Sequence, residues 1–224
     1  MSIDRVFDPM KQHTLAEAAR ILADGGCVVY PTETYFALGA LAADARALAR
    51  IVAVKARPAG KPLPLLAGDM AQLSAVVPEG FATGPLGADF ADLAGRFWPG
   101  PLSLVVPCRE SLPGLVKDGQ GRVSVRLTPH DAAAELCRLA GGALVATSAN
   151  VSGRPPVATP EALDPAIVAA ADGLVTAGAK PAGGPASTVA GLLGGRRLLL
   201  FRQGAIAAAA LRAAGYEVTP GQPA

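Results

Sequence analysis

The order of apolar and polar positions divides the chain into short elements. From residue 14 to 24 apolar residues recur at helical spacing. Thr14, with Glu17 three residues on, reads as a capping box, and Gly25-Gly26 closes the helix. Residues 27–30 form a continuous apolar run, which predicts a buried strand. Pro31 ends it and Thr32-Glu33-Thr34 follows as a polar loop. Asp44 can cap a second helix running to about Val54, with Leu48, Ile51 and Val52 on one face. Pro58 disfavours helical geometry just before it, so this helix ends near Lys55-Ala56-Arg57.

Further strands are predicted over residues 63–67, 102–106, 123–127, 143–147, 174–176, 188–192 and 198–201, and helices over 89–97, 131–139 and 206–214. Strands and helices intermix without strict alternation. This favours one α/β domain over residues 1–215 with a twisted mixed sheet and flanking helices. Residues 216–224, ending Pro-Gly-Gln-Pro-Ala, read as a loose tail. No internal repeat is visible. His130 is expected as a cap or surface residue, Trp98 as packing beside the Pro99-Gly100-Pro101 turn, and Arg196-Arg197 as a hairpin tip.

Composition supports a folded domain. Hydrophobic residues make up 51% of the 224, enough apolar surface to offset chain entropy. Aromatics are only 4%, so Ala, Val, Leu and Ile must build the core. The cysteines, Cys27, Cys108 and Cys137, are odd in number and far apart, which argues against a disulfide framework or a zinc site. The first residues carry acids and lack a secretory apolar segment. No apolar run approaches the roughly 20 residues of a membrane helix. A soluble cytoplasmic protein, with no membrane partner, is expected.

A net charge of +2 makes any basic function local. Arg46, Arg50, Lys55, Arg57 and Lys61 lie in an interval, 45–68, that contains no acid. Arg46 and Arg50 fit a solvated helix face. Lys55, Arg57 and Lys61 fall on a loop with Pro58 and Gly60. By charge alone they could be solvated, or could converge on a polyanion such as a triphosphate. Gly60-Lys61 is followed by Pro62, so this is not a P-loop, and no Rossmann or Gly-x-Ser-x-Gly pattern occurs. Thr147-Ser148-Ala149-Asn150 ends an apolar run where open α/β sheets bind ligands, although an ordinary polar turn has the same composition. Arg126 shares the parity of Ser124 and opposes Val125, so it faces away from the core, either to fork a carboxylate or to meet solvent.

Together these segments resemble the YrdC-like family of threonylcarbamoyl-AMP synthases. The resemblance rests on Tyr30-Pro31-Thr32-Glu33-Thr34, Leu38-Gly39, Lys55-Ala56-Arg57-Pro58 with Lys61-Pro62-Leu63, and Trp98-Pro99-Gly100-Pro101-Leu102. It continues with Val125-Arg126, Ser148-Ala149-Asn150 with Ser152-Gly153, Ser187-Thr188-Val189, and Arg202 with Gly204, all in family order. Three positions depart from the usual pattern: Ala37 for Gly, Gln203 for Pro, and Pro185-Ala186 before Ser187.

The resemblance implies a twisted mixed sheet around a concave, positively lined cavity, in the short bacterial form without a C-terminal extension. It implies condensation of L-threonine, bicarbonate or CO2, and ATP to threonylcarbamoyl-AMP and pyrophosphate, with Mg²⁺. Downstream tRNA threonylcarbamoyltransferase proteins would use the product, and tRNA itself could be a partner. Carried onto this chain, Lys55, Arg57, Ser148 and Asn150 would be catalytic. Those four, with Lys61 and Arg202, would hold ATP. Thr34, Arg126 and Ser187 would hold threonine, and no protein side chain is assigned to metal. Two other readings share these residues: an RNA binder of the same fold, and a non-catalytic nucleotide-binding paralogue. The scarcity of aromatics around the basic loop, none from residue 37 to 80, counts against RNA.

Overall fold

The computed structural model describes residues 12–221. The first helix, α1 (Leu15–Ala23), is capped as its sequence predicts. The Thr14 hydroxyl accepts from the Glu17 N–H, and the Glu17 carboxylate accepts from the Thr14 N–H at 2.9 Å. Strands β1 (Val28–Pro31) and β2 (Phe36–Gly39) form an antiparallel hairpin around the Thr32–Tyr35 turn. Next come α2 (Ala45–Val54), β3 (Leu65–Ala67), α3 (Gly87–Phe97), β4 (Leu102–Pro107), β5 (Arg122–Leu127) and α4 (Asp131–Leu139). The chain continues through β6 (Leu144–Val145), β7 (Thr147–Ser148), α5 (Pro165–Ala170), β8 (Gly173–Leu174), β9 (Thr188–Gly194), β10 (Arg197–Arg202), α6 (Ala208–Ala213) and β11 (Glu217–Pro220).

These strands make two mixed sheets where one was expected. Four strands run in the order β7-β2-β1-β8 and seven in the order β11-β10-β9-β4-β5-β3-β6. The division passes through the predicted strand at 143–147. Leu144 and Val145 pair with β3, while Thr147 and Ser148 pair with β2, so the chain changes sheet at Ala146. A continuous apolar run cannot reveal this, because both halves are buried.

β1 and β3 bury both faces. Val28 and Tyr30 pack with α1 and α4, while Cys27 and Val29 join the larger core on the opposite face. Leu66 likewise faces the helices, and Leu65 and Ala67 face the larger core. This is strand alternation with apolar residues on both sides.

The expected tail is partly a strand. β11 pairs parallel with β10, and Tyr216 and Val218 are buried. The Tyr216 hydroxyl donates to Asp92 at 2.9 Å, and the Arg196 guanidinium lies 4.5 Å from its ring. Arg196 sits at the β9–β10 tip, as expected. His130 caps α4, its ring accepting from the Ala133 N–H, but it is buried rather than at the surface. Trp98 packs edge-on against Phe90. Arg50 is not merely solvated, since it pairs with Asp172 at 3.0 Å and ties α2 to the segment after α5.

Candidate active site

Residues of both sheets line a cavity of about 600 Å³. Its cations come from separate stretches: Arg57 and Lys61 after α2, Arg122 and Arg126 on β5, and Arg202 at the end of β10. Asp118 is the carboxylate among the lining residues, and Arg122 holds it at 2.8 Å. The lining is therefore strongly positive, although the whole chain carries only +2.

The loop after α2 turns sharply. Ala56 has φ of 46°, a left-handed value that costs a non-glycine residue energy and persists only where the surroundings hold it. Arg57 is fixed there by donating to the carbonyls of Lys61 at 2.9 Å and Pro62 at 2.8 Å. Burial lowers its proton affinity, so an anion in the cavity would stabilise its charge.

Lys55, placed by sequence among the phosphate ligands, does not line the cavity. It is 2% exposed, and its ammonium donates to the carbonyls of Ser148 and Asn150. Burial, with the Arg57 charge nearby, brings its pKa down to about 8. Lys55 therefore acts beneath the wall, pinning the β7 turn to the end of α2. The run of cations did not distinguish a residue facing inward from one facing the ligand.

Asn150, which the resemblance places among the catalytic and ATP-holding residues, is likewise absent from the cavity lining. It is buried outside the cavity lining, and its amide donates to the carbonyls of Val151 at 3.0 Å and Arg154 at 2.6 Å. Ser148 does line the cavity, held by the pairing of Ala37 with Ser148 and by the bond from the Ala149 N–H to the Phe36 carbonyl.

Thr34, Arg126 and Ser187 all line the cavity as well. Arg126 is not solvated: it is buried and paired with Glu33. The Thr128 hydroxyl also donates to Glu33, at 3.2 Å. Glu33 takes one terminal nitrogen of a guanidinium that has five N–H donors, which leaves the other nitrogens to fork a further carboxylate. Arg202 donates to the Ser187 carbonyl at 3.0 Å and to its hydroxyl at 3.1 Å, and that hydroxyl lies 3.0 Å from Ser103. The turn behind Arg202 is tight. A Cβ on Gly204 would fall 2.0 Å from the Ala186 carbonyl, and the buried Thr188 hydroxyl accepts from the Gly204 and Ile206 N–H groups.

A family model described as "telomere recombination", for Sua5, YciO and YrdC proteins, matches residues 20–204. The chain belongs to the Sua5/YciO/YrdC family. Threonylcarbamoyl-AMP synthase of Chromobacterium violaceum is 39% identical over 145 residues, covering 65% of this chain and 72% of the relative. The protein of the same name from Halorhodospira halophila is 42% identical over 139 residues, covering 62% and 70%. Among solved structures, Pyrococcus abyssi Sua5 complexed with L-threonine superposes with a TM-score of 0.80 at 28% identity, over 94% of this chain and 64% of that one. The chain thus spans just under two thirds of the Pyrococcus protein.

Several lining residues of this Sua5/YciO/YrdC chain were missed by sequence reasoning: Tyr35, Ser103, Asp118, Arg122, Ser124 and Phe201. Part of the signal was available. Arg122 and Ser124 share the parity of Arg126 on β5, so the alternation that exposes one exposes all three. Phe201 carried none, because its role depends on β10 lying across the sheet from β5. There Arg122 sits 5.8 Å from its ring. Of the three departures from the family pattern, Ala37 and Ala186 line the cavity, while Gln203 is exposed.

Proposed function

We propose that this chain is an L-threonylcarbamoyladenylate synthase, an enzyme that condenses L-threonine, CO2 or bicarbonate, and ATP, releasing pyrophosphate. One observation carries the reading: Arg57, Lys61, Arg202, Arg126, Thr34 and Ser187, dispersed over some 170 residues, line one cavity. The relatives named for this synthesis, and the threonine complex of a Pyrococcus relative, support it.

The residues fit the chemistry. The threonine amine, once neutral, attacks the carbon of CO2 and loses a proton to solvent, giving a carbamate. A carbamate oxygen then attacks the α-phosphorus, and the bond to pyrophosphate breaks. Such a displacement needs alignment and charge neutralisation rather than a protein nucleophile. Arg57, Lys61 and Arg202 hold the phosphates, and Ser148 meets the nucleotide. Lys55 and Asn150 keep the Ser148 turn in place from beneath. Arg126 forks the threonine carboxylate, between Thr34 and Ser187. The bond from Arg202 to Ser187 supports a phosphate subsite beside the amino-acid subsite, as transfer between them requires.

The donors also fit magnesium arriving with ATP. Among the described residues no group of three or more His, Cys, Asp or Glu side chains is suited to a metal, and Asp118 is held by Arg122. Phosphate oxygens would hold the ion, which supplies neutralisation of the leaving pyrophosphate. The product would pass to tRNA threonylcarbamoyltransferase proteins in the cytoplasm. Among the described residues no helix is long and apolar enough to cross a membrane.

Pyrophosphate release tests the reading. It should require threonine and bicarbonate together. Release without either, or none with both present, overturns it, and RNA binding without release would indicate the RNA-binding alternative.

A further inference from the structure

The floor of the cavity is a set of neighbouring strands whose register decides which side chains stand together. On β5, Arg122, Ser124 and Arg126 all face the cavity. Val105 of β4 lies directly across from Ser124, and Ser103 from the same face of β4 also lines the cavity. On β9, Val189 pairs with Ser103. Ser124 therefore stands two residues from Arg126, about 7 Å along the strand, with the methyl groups of Val105 beside it.

Ser124 has a second property. Its hydroxyl is buried and has no hydrogen-bond partner. Buried polar groups are ordinarily paired, so an orphan on a residue that lines the cavity calls for an explanation. Of the hydroxyls proposed above for the amino acid, one differs clearly in this respect. That of Ser187 already meets Arg202 and Ser103.

We infer that Ser124 and Val105 together read the side chain of the amino-acid substrate. Ser124 hydrogen-bonds its hydroxyl, and Val105 packs against its methyl. The inference rests on the synthase reading and deepens it. Threonine carries one hydroxyl and one methyl on a single carbon, and the floor offers the unpaired hydroxyl of Ser124 with the branched side chain of Val105 directly across from it. A carboxylate anchored on Arg126 places that carbon two bonds from the carboxyl carbon, and Ser124 is the next residue on the same face of the strand. The orphan state of Ser124 is then the ligand-free half of a hydrogen bond. A site built to pair a substrate hydroxyl rejects an isostere lacking it far more strongly than a hydrophobic pocket does.

The test compares kcat/KM for threonine, serine and valine in wild type, Ser124→Ala and Val105→Thr, read as pyrophosphate release dependent on each amino acid and bicarbonate. In Ser124→Ala, threonine should fall about tenfold or more while valine holds or rises, narrowing their ratio by roughly 10- to 100-fold. In Val105→Thr, which keeps volume but replaces a methyl with a hydroxyl, threonine should fall severalfold while serine, lacking the methyl, is unchanged. The Ser124→Ala protein should melt no lower than wild type, because it loses an unpaired buried polar group. An unchanged threonine-to-valine ratio in Ser124→Ala, an equal loss for both substrates, or a lowered melting temperature each overturns the assignment. Wild type that releases no pyrophosphate with threonine and bicarbonate overturns the synthase reading, and this one with it. Wild type that turns over threonine while Ser124→Ala keeps its selectivity overturns the Ser124 assignment alone.

Discussion

Individual side chains separate into those that face the cavity and those that hold its wall, and two neighbouring lysines illustrate the difference. Lys61 is exposed and lines the cavity, whereas Lys55 is buried against the Ser148 and Asn150 carbonyls. Lys61→Ala is expected to weaken ATP, with a charge-assisted contact contributing roughly 1.5–3 kcal/mol, and to leave thermal stability unchanged. Lys55→Ala should lower the melting temperature as well, because two buried carbonyls lose their donor. Calorimetry on both variants with ATP titrations separates the roles, and an unaltered melting temperature in Lys55→Ala would count against the pinning role. Arg126 belongs to the first group even though Glu33 already holds it. Arg126→Lys should hurt threonine dependence nearly as much as Arg126→Ala, because an ammonium cannot form a planar two-bond fork. Steady-state kinetics over threonine at saturating ATP checks this. A change confined to ATP would move Arg126 to the nucleotide site.

At the level of elements, the cavity depends on short strands joined in an order that brings distant residues side by side. β10 carries Arg202 and Phe201 to the floor and is covered on its outer side by β11. Removing residues 216–224 should therefore do more than trim an end. It strips a hydrogen-bonded neighbour from β10, and it removes Tyr216, which is 3% exposed. Loss of a buried large aromatic alone costs about 3–5 kcal/mol. Urea unfolding should show the midpoint falling accordingly. A truncated protein as stable as the full chain would mean that β11 adds nothing to the fold. Thr14, Glu17 and Asp44 show the opposite case, elements whose ends are set by local chemistry and need no tertiary partner to be recognised.

For the whole molecule, the arrangement concentrates positive charge in one place. Five cationic residues face the cavity on a chain with a net charge of +2, and the exposed ion pairs lie elsewhere. Such a lining suits a small polyanion joined to an amino acid, and it makes selectivity a property of the assembled site. Serine keeps the substrate hydroxyl and loses a methyl, worth about 1 kcal/mol of apolar burial. Valine keeps the volume and leaves a buried polar group unpaired. Wild type should thus use serine poorly and valine hardly at all, measured as pyrophosphate release at equal concentrations. Equal turnover of the two would mean the pocket reads shape alone.

By itself the sequence determined much of this protein. Helix ends followed from capping residues, most strands from apolar runs, and the outward direction of Arg126 from period-two alternation. The order of the Lys55–Lys61, Arg126, Ser148–Asn150 and Ser187–Arg202 segments pointed to the family. These are local properties, decided by backbone propensity and by the spacing of side chains along one element. Tertiary structure alone decided which of the polar residues face the cavity. Lys55 and Arg57 lie two positions apart on one loop, yet one points under the wall and the other into the site. Asn150 and Ser148 divide in the same way. The division of residues 143–148 between two sheets, the docking of β11, and the opposition of Ser124 to Val105 also arise from pairing between distant strands. No single segment encodes a register shared by two.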